Sequence, residues 1–178
     1  MIRVRDLSKC RLDDFLRQER VKKQMCFDPS IKYPIKLIRY WMCSNLVESE
    51  LNVSTSIAEI GIDRGQMQQW MLDNGREVPF EVWDGYDVDV KPVVREQKYS
   101  NLIEGDATSS SFRLNQDYDI MLLVHFLEHL HEPEEFLKRV SISLKAGGAI
   151  IGGMPVTPKS LARVREQKIR RTARPFGH

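Results

Sequence analysis

In the run VHFLEHLH, His125, Glu128 and His129 stand three and four residues apart. Such positions share one side of a helical turn, so two imidazoles and a carboxylate can converge on a single ligand. Proton transfer is one chemistry this set allows, since a neutral histidine is a competent base near neutral pH. Divalent-metal binding is another; mixed histidine and carboxylate donors suit a transition metal better than magnesium. The plainer reading, a structural turn whose Glu and His hydrogen-bond the backbone, takes precedence, and no metal is assigned. His131 at the loop tip reads as solvated.

A second constellation lies upstream. IAEIGIDRGQM, from Ile57 to Met67, reads as an apolar strand, a glycine turn and the opening of a helix. A dinucleotide held at such a turn needs glycines for close backbone approach and helix amides facing its phosphates. Here Gly61 and Gly65 are present, but Asp63 occupies the middle position and Glu59 precedes the turn. Two like unit charges about 4 Å apart repel by on the order of 4 kcal/mol at an effective dielectric near 20. The turn therefore disfavours a pyrophosphate, with Arg64 a partial offset. A ligand carrying an ammonium, a sulfonium and a ribose, with no phosphate, reverses that preference, and S-adenosylmethionine is such a molecule. Asp also tolerates the left-handed backbone that a tight turn can require.

These residues need a scaffold. Leu12 to Met25 is expected to be a charged helix with Leu12, Phe15 and Leu16 as its apolar side. A second helix begins near Pro34, with Ile35, Ile38, Met42 and Leu46 at helical spacing. From Ile57 onward strands and helices alternate. Strands are expected at Ile57–Ile60, Phe80–Tyr86, Asn101–Glu104, Asp119–Val124 and Ala149–Met154. Helices are expected from Gly65 to a stop at Asn74-Gly75, over Pro92–Gln97, and from Glu132-Pro133 with Phe136, Leu137, Val140 and Leu144 on one face. Repeated β-α units with right-handed crossovers make a parallel sheet between helix layers. Ligands of such sheets sit beyond the carboxyl ends of the strands, which selects Gly61–Gly65, Asp87–Asp89, Asp106-Ala107, Val124–His129 and Met154-Pro155. Asp119 opens its strand at the opposite edge and is left out of the site.

With 178 residues, 42% hydrophobic and 29% charged, the chain has material for one core. Cys10, Cys26 and Cys43 are scattered, which argues for reduced thiols and against a zinc site. There is no run long and apolar enough to cross a bilayer, and MIRVRDLSK is no signal peptide, so the expected location is cytoplasmic. The net charge of +2 is uneven. Seven basic residues and one acid lie between Lys159 and Arg174, and removing them from the totals of 27 and 25 leaves a body of net −4. That segment reads as an exposed helix or as a flap over an anionic acceptor; nucleic acid remains a partner only through it.

Taken in order, these motifs resemble the class I S-adenosylmethionine-dependent methyltransferases of the small-molecule type, in the subgroup with an LEH turn. EIGIDRG is similar to that family's E-x-G-x-G-x-G loop. DGYDVDV resembles the end of its second strand, which implies that Asp87 binds the ribose hydroxyls, with Val88 beside it. LIEGDATS resembles its third-strand motif, implying that Asp106 pairs with the adenine amino group near the Ala107 amide. YDIMLLVHFLEHLHEPEEFLKRVSISLKAGGAIIGGMP resembles the fourth strand, LEH turn, helix and fifth strand. The resemblance spans Ile57 to Pro155. Two groups in the family bind a metal through an E-x-x-E-H turn; His125 stands where their first Glu would be, and the resemblance makes His178 the counterpart of a later histidine ligand in one of them. Asp63 departs from the family pattern, and the family's sheet continues past strand five whereas 23 residues follow Pro155, so a fragment is expected.

The expected fold is thus α/β, a doubly wound and mostly parallel Rossmann-like sheet lacking the family's last strands. Residues 1–55 would form a helical cap, 56–156 the cofactor-binding core and 157–178 a basic segment opening a truncated C-terminal part. The expected cofactor is S-adenosylmethionine, held by Glu59, Gly61, Asp63, Gly65, Asp87, Val88, Asp106, Ala107 and Val124. Methyl transfer to a hydroxyl of a small molecule or saccharide is the expected reaction, with His125 and His129 as candidate bases beside Glu128. The rivals are a degenerate cofactor- or partner-binding domain, a nicotinamide-dependent reductase and a nucleic-acid-binding module.

Overall fold

The computed structural model describes residues 12–18, 35–73 and 78–153. Elements in order are α1 (Leu12–Leu16), α2 (Ile35–Glu48), β1 (Ser56–Ile60), α3 (Gln66–Asp73), β2 (Val82–Asp87), β3 (Asn101–Glu104), β4 (Tyr118–Val124), α4 (Pro133–Val140) and β5 (Leu144–Gly153). Short 3-10 turns cover Pro92–Glu96, Leu127–His129 and Ser141–Ser143. The five strands form one sheet in the order β3-β2-β1-β4-β5, and every pair is parallel. This is the doubly wound α/β arrangement that the alternating elements imply. Strand order runs one way from β1 to β3 and the other way from β4 to β5. The loops leaving β1 and β4 therefore part at their carboxyl ends and open a crevice between them.

Burial on both faces explains the strand sequences. All five β1 residues are buried, and β4 is buried except at Asp119. One face of the sheet presents Ile57, Trp83, Ile120 and Leu122 to Phe15 of α1, Trp41 and Val47 of α2, and Trp70 and Met71 of α3. The other presents Ala58, Ile60, Tyr86, Met121 and Leu123 to Phe136 and Val140 of α4. Alternate residues of a strand point to opposite faces, so a two-sided core needs the near-continuous apolar runs seen here.

Several details differ from the sequence expectation. The second strand starts at Val82, not Phe80; Phe80 packs edge-on against Trp83, centroids 5.5 Å apart, outside the ladder. The helix after Pro133 ends at Val140, so Leu144 starts β5 instead of extending the helical face. Residues 145–148 loop out where the register with β4 shifts between Tyr118 and Ile120, with Gly147 at φ +85°, and the regular ladder resumes at Ala149. In α2 the deepest face is Leu37, Tyr40, Trp41, Cys43, Ser44 and Val47, with Ile38, Met42 and Leu46 packed at its margin. That helix is apolar nearly all round, so periodicity alone could not say which side goes under; the larger aromatic side does. The first helix ends at Leu16, short of the expected Met25; Met25 itself and the stop signal at Asn74-Gly75 lie outside the described residues.

At the amino ends of the strands, Asp119 Oδ2 accepts from the Ser56 backbone N–H (2.9 Å), the Ser56 hydroxyl (2.7 Å) and Lys145 Nζ (2.9 Å). Those contacts hold its carboxyl below the usual range although burial acts against them. Asp119 therefore ties β1, β4 and β5 together far from the crevice. Cys43 is buried, and burial pushes its thiol up to about 11, which keeps it a protonated packing group. Cys10 and Cys26 lie outside the described residues.

Candidate functional site

A cavity of about 720 Å³ opens at the carboxyl ends of β1, β2, β3 and β4. Its walls bring together Glu59, Gly61 and Asp63 from β1 and its turn, and Asp87 and Val88 from β2. Asp106 and Ala107 follow β3, and Val124, His125, Glu128 and His129 follow β4. Gly65 is not in the wall. It sits at φ +66°, where a Cβ would strike the Gln97 side-chain amide, so its role is to let the Pro92–Glu96 turn close on the glycine loop. Met154, Pro155, the basic segment and His178 lie outside the described residues.

The turn after β1 is built on backbone that side chains rarely allow. Gly61 has φ +78°, and a Cβ there would lie 2.5 Å from Phe126 Cδ2. Asp63 takes φ +45° and supplies a backbone N–H to Asp87 Oδ2 at 2.8 Å. Its own carboxylate is exposed and meets Lys91 Nζ at 3.7 Å. Asp87 Oδ1 accepts from the Asp89 N–H at 3.2 Å. The glycine turn is thus latched to the end of β2 through Asp87, the acid that the family resemblance assigns to the ribose. Asp106 Oδ1 accepts from the Thr108 hydroxyl (2.6 Å) and backbone N–H (2.8 Å), which lowers its pKa. The Ala107 carbonyl accepts from Arg139 Nη2 at 2.7 Å, anchoring that loop to α4.

Glu59 is the unusual acid. It is 4% exposed, and its Oε2 accepts from Trp83 Nε1 (3.1 Å) and the Tyr99 hydroxyl (2.9 Å). Burial raises its pKa to about 7, and those two hydrogen bonds only partly offset the effect. A carboxyl poised near neutrality at the cavity floor gains most from a cationic partner.

At the β4 end, His125 takes φ +61°, a left-handed conformation costing roughly 1 kcal/mol or more for a residue with a Cβ. Neighbours hold it there. The Tyr40 ring meets the imidazole edge-on at 5.5 Å, and Arg39 Nη1 contacts both ring nitrogens. Glu128 Oε1 lies 3.4 Å from His125 Nδ1 and 3.8 Å from Arg39 Nη1. The other oxygen, Glu128 Oε2, is buried without a hydrogen bond among the described residues. His129 is exposed on the same rim. Among the described residues, no three His, Cys, Asp or Glu side chains are grouped to hold a metal ion.

Sequence reasoning missed Arg39 and Tyr40, which α2 delivers to the cavity. The available signal was a charge set among apolar neighbours on both sides of a helix. Lys91, which pairs with Asp63, was missed as well.

Comparison with known proteins agrees with this fold. A family model described as a methyltransferase domain matches residues 58–152. No curated protein matches the sequence. Among solved structures, the N-methyltransferase NodS from Bradyrhizobium japonicum WM9, in complex with S-adenosyl-L-homocysteine, superposes with TM-score 0.56 at 15% identity, covering 76% of this chain and 68% of that one. YcgJ from Bacillus subtilis gives 0.54 at 16% identity, covering 72% and 58%. The sugar N-methyltransferase KedS8 from a Streptoalloteichus species gives 0.52 at 13%, covering 67% and 49%. The chain spans about half to two thirds of the length of these structures, and at such identity the likeness is one of fold.

Proposed function

We propose that this chain, which belongs to the methyltransferase domain family, transfers a methyl group from S-adenosylmethionine to a hydroxyl of a small molecule or saccharide. One observation carries the reading: an acid-lined crevice at the sheet's switch point, with Glu59, Asp87 and Asp106 at the ends of three adjacent strands. The residues present fit the cofactor. Gly61 leaves room beside Phe126 that a Cβ would fill, Asp87 presents a carboxylate for a ribose diol, and Glu59 answers a cationic amino-acid end. Asp63, Val88, Ala107 and Val124 complete that wall, with Gly65 shaping the turn from behind. Asp106 is the residue this reading gives to the adenine amino group.

The cofactor supplies a methyl group on a cationic sulfur, already electrophilic. What remains for the protein is alignment of the acceptor, exclusion of water and removal of one proton. His129, exposed on the rim, is the base we favour over His125, because Arg39 and Glu128 already engage the His125 ring. The sugar N-methyltransferase among the structural neighbours keeps saccharides in the acceptor class and makes an amine the competing acceptor atom.

Calorimetry with S-adenosylmethionine, S-adenosylhomocysteine and NAD tests the reading. The first two bind and NAD does not; Asp87→Ala raises the cofactor Kd by roughly a hundredfold, as loss of two hydrogen bonds to a carboxylate would. Binding of NAD without S-adenosylmethionine would sink the proposal. Tight cofactor binding with no transfer to any extracted metabolite would favour a catalytically degenerate domain.

A further inference from the structure

We propose that Arg39 is the positioning residue of an acceptor subsite built on Glu128, one that takes a hydroxyl or amine and turns away phosphates and carboxylates. The inference rests on the methyl-transfer reading and names the acceptor class for the same cavity. Arg39 lies outside the segment matched by the family model, on α2. Its side chain is 15% exposed, and it reaches across to the turn after β4, where its Nη1 meets both the His125 ring and Glu128 Oε1. His125 in turn is backed by the Tyr40 ring, and the Tyr40 hydroxyl is tethered to Gln66 Oε1 at 2.9 Å. Arg39 and His125 thus meet on one carboxylate oxygen, braced from behind by Tyr40 and Gln66.

That convergence occupies one oxygen of Glu128 and leaves the other, Oε2, buried with no hydrogen bond among the described residues. Glu128 also lines the cavity, beside Phe126 and Leu130. A buried carboxylate oxygen without a donor is held at a cost, and a ligand bringing an N–H or O–H removes that cost. An anionic group there would set like charge against Oε2 beside apolar walls, where the repulsion is poorly screened. Arg39 makes the arrangement hold. It sets a countercharge 3.8 Å from Glu128 Oε1, and so fixes which oxygen is spent. Glu128 is then the acceptor's anchor, and Arg39 acts through it.

The test measures tritium transfer from labelled S-adenosylmethionine to four probes: methyl α-glucopyranoside, glucosamine, glucose 6-phosphate and glucuronate. Wild type, Arg39→Met, Arg39→Lys and Glu128→Gln are compared, with cofactor Kd measured calorimetrically for each. One of the two uncharged or amine probes is labelled at least tenfold faster than either anionic probe. Arg39→Met and Glu128→Gln raise the KM for that probe by roughly tenfold or more while cofactor Kd stays unchanged, and Arg39→Lys recovers part of the loss. Labelling of the anionic probes as fast, labelling of no probe, or an unchanged KM in both Arg39 variants would overturn the subsite. Cofactor binding separates the two levels: its absence in wild type defeats the methyl-transfer reading itself, whereas intact binding with any of those results defeats the subsite alone. Should Arg39→Met fail to fold, as judged by circular dichroism, Arg39→Lys and Glu128→Gln decide the outcome.

Discussion

Replacing Glu59 by Gln should make this protein more stable at pH 8 and leave it nearly unchanged near pH 5. The cause is the burial of a carboxyl that becomes charged as the pH rises. In the folded chain its pKa is raised from 4.5 to about 7 by desolvation, and the Trp83 and Tyr99 hydrogen bonds only soften the effect. The folded state therefore holds this proton more tightly than the unfolded chain does. Its contribution to stability is whole below pH 4.5, declines as pH rises towards 7, and is lost above that. The shift corresponds to about 3 kcal/mol at pH 8 and under about 1 kcal/mol at pH 5. Glutamine keeps an oxygen for Trp83 and Tyr99 but cannot ionise, so urea unfolding of the two proteins should separate by those amounts. In melting temperature the gap at pH 8 is on the order of 10 °C at most. A difference that is the same at pH 5 and pH 8, or a variant less stable at pH 8, would refute the reasoning. The same variant should bind S-adenosylmethionine more weakly. The wild type, unlike the variant, should release a proton on binding at pH 7, readable as a buffer-dependent calorimetric enthalpy.

Two further substitutions probe the frame around the site. Gly61→Ala places a methyl group against Phe126 at a backbone angle that disfavours any Cβ; it should cost about 1–3 kcal/mol in thermal unfolding and weaken cofactor binding. An unchanged melting temperature would mean the turn relaxes freely. Tyr118→Phe removes the 2.6 Å hydrogen bond to Asp84 Oδ2 and the 2.7 Å link to the Tyr86 hydroxyl, all within the core. A loss of about 1–3 kcal/mol is expected in urea unfolding, and none would show that Asp84 finds another donor.

The sheet was legible because its strands are local patterns. IMLLV, from Ile120 to Val124, is apolar throughout, as a strand covered on both faces must be, and the turn residues around it sit at the expected places. Positions after strand ends were legible for the same reason: a parallel sheet brings the ends of its strands to one edge wherever they lie in the chain. So Gly61, Asp87, Asp106 and Glu128 could be grouped before any coordinates, and they do line one cavity. Where local patterns compete, the reading drifted. Leu144 fits a helical face by spacing yet begins β5, because the 3-10 turn at Ser141–Ser143 ends the helix first.

What only the tertiary structure decided is how each charge is satisfied. The sequence by itself determined the α/β order, the acidic character of the glycine turn and the family to which the motifs point. It could not say that Glu59 would be buried beneath Trp83 and Tyr99, or that Asp63 would turn its carboxylate to Lys91 and lend its amide to Asp87. Nor could it bring Arg39 to His125 and Glu128, 86 residues away along the chain to the histidine. Pattern follows from covalent spacing and is local. Electrostatic environment depends on which distant side chains share a low-dielectric space, and only the packed sheet and its helices determine that.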